Sequence, residues 1–237
     1  MRLDKFLANS GVGSRKEVKQ IIKKGKVCVN GKSVKNPQHI VHEMLDTVTL
    51  FGEQIVYEPW IYIMMNKPSG VISATKDQRN QTVVDLLEDW MRDYEPFPVG
   101  RLDKDTTGLL LLTNDGQLAH QLLSPKKHVD KKYWVKIDCE MSEAMQEAIA
   151  QGITLEDGYT TKPGRLEISS ALAGEGYITI QEGKFHQIKR MFQSMQAQVV
   201  QLKRLEMGTL KLDNNLKPGE VRLLTKKELE QLRHIKK

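Results

Sequence analysis

Four consecutive leucines, Leu109 to Leu112, constrain this chain more than any other feature of its 237 residues. Successive strand residues point to opposite faces, so a strand that is apolar at every position needs cover on both. Such a run predicts a strand inside a sheet. Asn114-Asp115-Gly116 turns the chain after it. Before it, Arg101 to Thr107 is polar, so a loop of reactive side chains enters a rigid core strand. By spacing alone, Asp103 or Asp105 in that loop is more often a turn or capping residue than a catalyst.

Around this strand the chain mixes short strands and helices. Strands are predicted at 61–65, 109–113, 133–137, 177–181, 199–202 and 221–224, and helices at 83–90, 118–123, 143–150, 186–195 and 226–235. Thr225-Lys226-Lys227-Glu228 opens the last helix with a capping box. Strands and helices without regular alternation predict an α+β fold with a mixed, largely antiparallel sheet flanked by helices. Hydrophobic residues at 39% and charged residues at 28% describe a globular chain. No apolar run approaches the roughly 18 residues that a membrane span needs. Charges in Met1-Arg2-Leu3-Asp4-Lys5 occupy the place of a secretory signal's apolar stretch. Cys28 and Cys139 lack metal-type spacing, so ordinary thiols in a cytoplasmic setting are expected.

Charge is unevenly spread. Residues 1–35 hold ten Lys and Arg against two acids, whereas the whole chain carries a net +6. A basic block on a near-neutral body suggests one part that holds a polyanion and another that acts on it. Leu3, Phe6 and Leu7 have helical spacing, and Ser14-Arg15-Lys16-Glu17 fits a capping box opening a second helix that Gly25 ends. A strand from Lys26 to Val29, an Asn30-Gly31 turn and a strand from Asp46 to Leu50 complete a small α/β domain, expected over residues 1–58. Residues 52–60 read as a linker, and 59–237 as the second domain. Gly31-Lys32-Ser33 imitates a phosphate-binding loop, but Lys26 stands where that loop needs glycine.

Three ordered stretches in the larger part carry a family resemblance. Gly100-Arg101-Leu102-Asp103, followed by Thr106 to Gly116, closely resembles the signature around the catalytic aspartate of pseudouridine synthases. Asn66-Lys67-Pro68-Ser69-Gly70 resembles the family's first motif, and Glu182 to Phe192 its third. The Arg2-Leu3-Asp4-Lys5 opening and the Val29-Asn30-Gly31 hairpin resemble the S4 RNA-binding domain. His186-Gln187-Ile188-Lys189-Arg190-Met191, with Thr161-Lys162-Pro163 before it, resembles the RsuA branch, which acts on small-subunit (16S) ribosomal RNA. Relatives acting on large-subunit RNA more often have Arg in place of Lys189.

The resemblance implies isomerisation of one specific uridine, with Asp103 as the carboxylate nucleophile. Burial would raise a carboxylate's pKa, so a nearby cation must favour its charged form, and the third motif supplies Lys189. Stripping a buried pair of its cation costs on the order of 3–5 kcal/mol. Tyr133 resembles the tyrosine that stacks on the target base, a contact of about 1–3 kcal/mol. Arg101 resembles the arginine that fills the space left by the flipped nucleotide. Arg2, Lys5, Arg15, Lys16, Lys19 and Lys23, with Lys67, His186 and Arg190, are expected to contact RNA. The chemistry requires no cofactor and no metal, and the six histidines are scattered. Ribosomal RNA is the expected partner, and no coiled-coil or apolar seam argues against a monomer. Three other readings stay open: a non-catalytic RNA-binding or ribosome-assembly factor, a glycosidase-like hydrolase pairing Asp103 with Asp105, and the same isomerisation on large-subunit RNA.

Overall fold

The computed structural model describes residues 1–43, 45–124 and 127–234. Contacts divide the chain into two units: Met1–Ile61 with Leu87–Pro96, and Tyr62–Leu86 with the chain from Phe97 onward.

In the first unit, helices α1 (Leu3–Asn9) and α2 (Arg15–Lys23) precede strands β1 (Val27–Val29), β2 (Lys32–Ser33), β3 (Val48–Leu50) and β4 (Glu53–Gln54). The strands form an antiparallel sheet in the order β2-β1-β3-β4. The Ser14 capping box opens α2 as its sequence predicts: the Ser14 hydroxyl accepts from Glu17 N, and the Glu17 carboxylate accepts from Ser14 N. Leu3, Phe6 and Leu7 pack with Val18, Ile22, Val27 and Val48 in one core, which leaves Lys16, Lys19 and Lys23 exposed on α2. The stretch 52–60 is not wholly a linker, because β4 extends the sheet there.

Residues 83–90 are not the predicted helix. The backbone N–H and hydroxyl of Thr82 both donate to the Asp85 carboxylate, at 2.8 and 2.9 Å, and Val83 N donates to Ile72 O. Local side-chain capture and two adjacent β-branched valines favour a turn over a helix. The short helix α3 (Asp89–Arg92) follows, within the first unit.

The second unit runs β5 (Tyr62–Lys67), β6 (Phe97–Pro98), β7 (Thr107–Thr113), α4 (Gly116–Leu123), β8 (Lys131–Ile137), α5 (Glu143–Gln151), β9 (Arg165–Ser170), β10 (Glu175–Ile180), α6 (Gln187–Ser194), β11 (Val199–Met207), β12 (Leu210–Lys211), β13 (Val221–Leu223) and α7 (Lys226–Arg233). Ile235, in the stretch predicted as the last helix, lies outside the described residues. The sheet order is β13-β5-β7-β11-β8-β10-β9, with β12 on β11 and β6 on β7. Its pairings are antiparallel except β7 with β11, which is parallel.

The leucine strand β7 thus lies inside the sheet, and Leu109 to Leu112 are each at most 1% exposed. Leu109 and Leu111 pack with Tyr62, Met64, Met207 and, from α4, Leu118 and Leu122. Full burial of each leucine stabilises the fold by about 1.5–3 kcal/mol. Gly108, second in this strand, is glycine because nothing larger fits: at φ +98°, an added Cβ would lie 2.2 Å from the Arg204 carbonyl oxygen on β11. Among the described residues, no helix is long and apolar enough to cross a membrane.

Candidate active site

The loop before β7 is fixed by its backbone. The Ser73 hydroxyl donates to Leu102 O and accepts from Leu102 N, both at 3.0 Å. Thr106 N donates to Asp103 O at 3.1 Å, and Gly70 N to Lys104 O at 2.8 Å. Beneath the loop, the ammonium of Lys67 donates to the carbonyls of Pro68, Lys104 and Thr106 at 3.0, 3.3 and 2.9 Å. Lys67 is 0% exposed, and burial pushes its amine down to about 8 against the opposing charges of Asp105 and Asp103. The expectation that Lys67 contacts RNA is therefore corrected. Its charge is spent on three backbone carbonyls, and no surface of it is open to a ligand.

Helix α6 faces this loop. Its capping residue, His186, has left-handed backbone at φ +48°, costly for a non-glycine residue and tolerated where surroundings hold it. Gln187 provides one anchor: its amide nitrogen donates to Glu182 at 2.7 Å, and its oxygen accepts from Lys184 N at 2.9 Å. Lys189 Nζ then lies 3.3 Å from Asp103 Oδ2, and 2.6 and 2.8 Å from the two oxygens of Asp105. His186 Nε2 is 3.6 Å from Asp103 Oδ1.

The expected Asp103–Lys189 pair is thus present, but Lys189 serves two carboxylates and is closer to Asp105. Burial acts to raise the Asp105 carboxyl, yet the hydrogen bond and charge of Lys189 outweigh it and hold the group below its ordinary value. Asp103 is 27% exposed rather than buried, so the loss of Lys189 would cost less than the deep-burial figure. Asp105 escaped the sequence-based pairing because a loop sequence does not show which carboxylate a lysine 84 residues away will choose. A general acid needs a raised carboxyl pKa, so the lowering at Asp105 argues against Asp105 as the acid of a hydrolase pair.

Asp103, Arg101, Tyr133, His186 and Lys189 line one cleft. Alternation along β8 turns Tyr133 to a buried face with Lys131, Val135 and Ile137, and Tyr133 is 6% exposed. Arg101 stands exposed at the rim. Arg190, expected on RNA, pairs with Asp157 at 2.7 Å. In the first unit, Arg2 makes two hydrogen bonds to Asp4, Arg15 pairs with Asp93, and Lys5 lies 3.7 Å from Glu95. No ion pair among the described residues takes Lys16, Lys19 or Lys23. Nor, among the described residues, do three His, Cys, Asp or Glu side chains cluster to hold a metal.

Residues 61–194 match the family model for RNA pseudouridylate synthase, and residues 1–46 match that for the S4 domain. An uncharacterised RNA pseudouridine synthase of Bacillus subtilis, YtzG, is 53% identical, with 98% of each chain covered. The ribosomal small subunit pseudouridine synthase A of Vibrio vulnificus is 39% identical over 98% of this chain and 99% of the relative. The ribosomal large subunit pseudouridine synthase B of Bacillus subtilis is 37% identical over 99% and 96%.

Proposed function

Because the chain belongs to the RNA pseudouridylate synthase family and is an isomerase acting on RNA, we propose that it converts one uridine of small-subunit ribosomal RNA to pseudouridine, with Asp103 as nucleophile. The observation that carries this reading is a single cleft lined by a loop-borne carboxylate, its lysine partner and a tyrosine. The bond from the ribose to uracil N1 breaks, the base turns, and carbon 5 bonds to the ribose. The hydrogen of carbon 5 leaves as a proton and N1 gains one, so atoms balance and no electrons are transferred. Asp103 attacks the sugar carbon or a ring carbon and departs when the new bond is complete. Lys189 pairs with that carboxylate and aims it, Tyr133 takes the face of the extruded base, and Arg101 fills the vacated stack.

The third-motif form with Lys189, together with the Vibrio relative's name, favours small-subunit RNA. The Bacillus relative named for the large subunit supports the second reading, the same chemistry on large-subunit RNA. Incubating the purified chain with each RNA, free or as an assembly intermediate, and mapping pseudouridine separates them. Modification of small-subunit RNA alone is expected, and modification of large-subunit RNA alone would overturn the assignment. The chain acts as a monomer in this proposal.

The first unit is proposed to supply sequence-independent affinity through Lys16, Lys19 and Lys23. Changing all three to Gln should lower the slope of log affinity against log salt by about 2, at roughly 0.7 for each single-strand phosphate that is no longer neutralised. An unchanged slope would remove that role from α2.

A further inference from the structure

A second cavity shares Arg101, Tyr133, Gly183 and Lys184 with the cleft that holds Asp103. Its walls are cationic: Lys131, Lys162 and Arg204 join Arg101 and Lys184 there. Arg204 is 2% exposed and Lys131 9%. The Arg204 Nε donates to Leu109 O at 2.8 Å, whereas its Nη2 is buried with no acceptor. Lys131 Nζ reaches the Val129 carbonyl at 3.3 Å, and Lys162 Nζ stands 3.4 Å from His128 Nδ1. Glu182 is the carboxylate lining the cavity, and its oxygens already accept from the Tyr159 hydroxyl at 2.6 Å, Lys162 N at 3.0 Å and Gln187 Nε2 at 2.7 Å. It offsets one of the five positive charges.

A buried, unpaired donor on a charged group costs about 1–3 kcal/mol or more, and a bound ion is one of the few things that account for such a group in a native fold. An anion in this cavity would offset the charge of the guanidinium that lines it. Tyr133 forms the wall common to both spaces, so a base held against it would place its own sugar-phosphate beside the second one. We infer that this cavity is a subsite for a phosphodiester of the RNA strand next to the target uridine, held by Lys131 and Lys162 with the charge of Arg204 behind them. The inference rests on the proposed uridine site, and it adds Lys131 and Lys162 to the substrate contacts.

The test compares uridine with uridine 3′,5′-bisphosphate, titrated against the full chain and against Lys131→Met and Lys162→Gln. The bisphosphate should bind the wild type at least about tenfold more tightly than uridine, the return of a charge-assisted contact. Each variant should cut that ratio to within about threefold and leave uridine affinity unchanged. Inorganic phosphate should compete with the bisphosphate and not with uridine. No tighter binding by the wild type, an undiminished ratio in the variants, or no competition by inorganic phosphate would overturn the assignment. If Lys131→Met does not fold, Lys162→Gln, at a less buried position, carries the comparison. No turnover enters these measurements, so a missing ratio leaves the isomerase reading standing, and a failed isomerisation assay leaves the ratio standing.

Discussion

Asp103→Asn should lower pseudouridine formation by about 10⁴-fold or more, while RNA affinity stays within about threefold of wild type. Asn keeps the shape of the side chain and removes the charge that makes it a nucleophile. The loop should not move, because its ties are made by backbone: Ser73 to Leu102, Thr106 N to Asp103 O, and Lys67 to two loop carbonyls. Lys189 should stay in place as well, since both oxygens of Asp105 hold it. The loss is therefore chemical rather than structural, and the Tm should change by no more than about 1–2 °C. Single-turnover rates and equilibrium binding on the same RNA check this. Activity within tenfold of wild type would remove Asp103 from the chemistry.

Lys67→Met should destabilise the fold by about 2–4 kcal/mol at pH 7, read as a Tm lower by roughly 5–15 °C. Methionine fills the space but offers nothing to the three carbonyls that the ammonium now serves. Two of these belong to the loop carrying Asp103, so turnover should fall along with stability. The lysine also has a pH signature. Its folded value of about 8 lies below the ordinary 10.5, so the folded state binds the proton less tightly than the unfolded one. Its burial cost is fully present below pH 8 and is relieved as pH rises from 8 to 10.5. Wild type should gain stability over that window relative to Lys67→Met. Lys131, also near 8, remains in both proteins and drops out of the difference. A variant as stable as wild type at pH 7, with parallel pH curves, would show that Lys67 holds nothing.

What the sequence made legible was whatever depends on local pattern. Leu109 to Leu112 predicted a covered strand because period-two geometry allows little else, and the Ser14 and Thr225 capping boxes marked helix starts that the structure keeps. The family resemblance placed Asp103, Tyr133 and Lys189 together, and they line one cleft. Burial and partner choice were not legible. Lys67 reads as a basic residue in a motif, and only tertiary packing makes it an interior tie. Lys189 lies near two acids two positions apart, and their distances are set by how α6 meets the loop. Val83–Trp90 had a helical pattern, yet capture of Asp85 by Thr82 won locally. Arg204 occupies a buried strand position with an unpaired nitrogen, which a basic letter in a strand gives no reason to expect.

The central claim is most directly tested by tritium release from small-subunit ribosomal RNA labelled at carbon 5 of uridine, with wild type and Asp103→Asn in parallel. Wild type should release tritium in step with pseudouridine formed, leaving RNA of unchanged mass, and Asp103→Asn should release none. Equal release by both proteins, or abasic RNA in place of pseudouridine, would contradict the account.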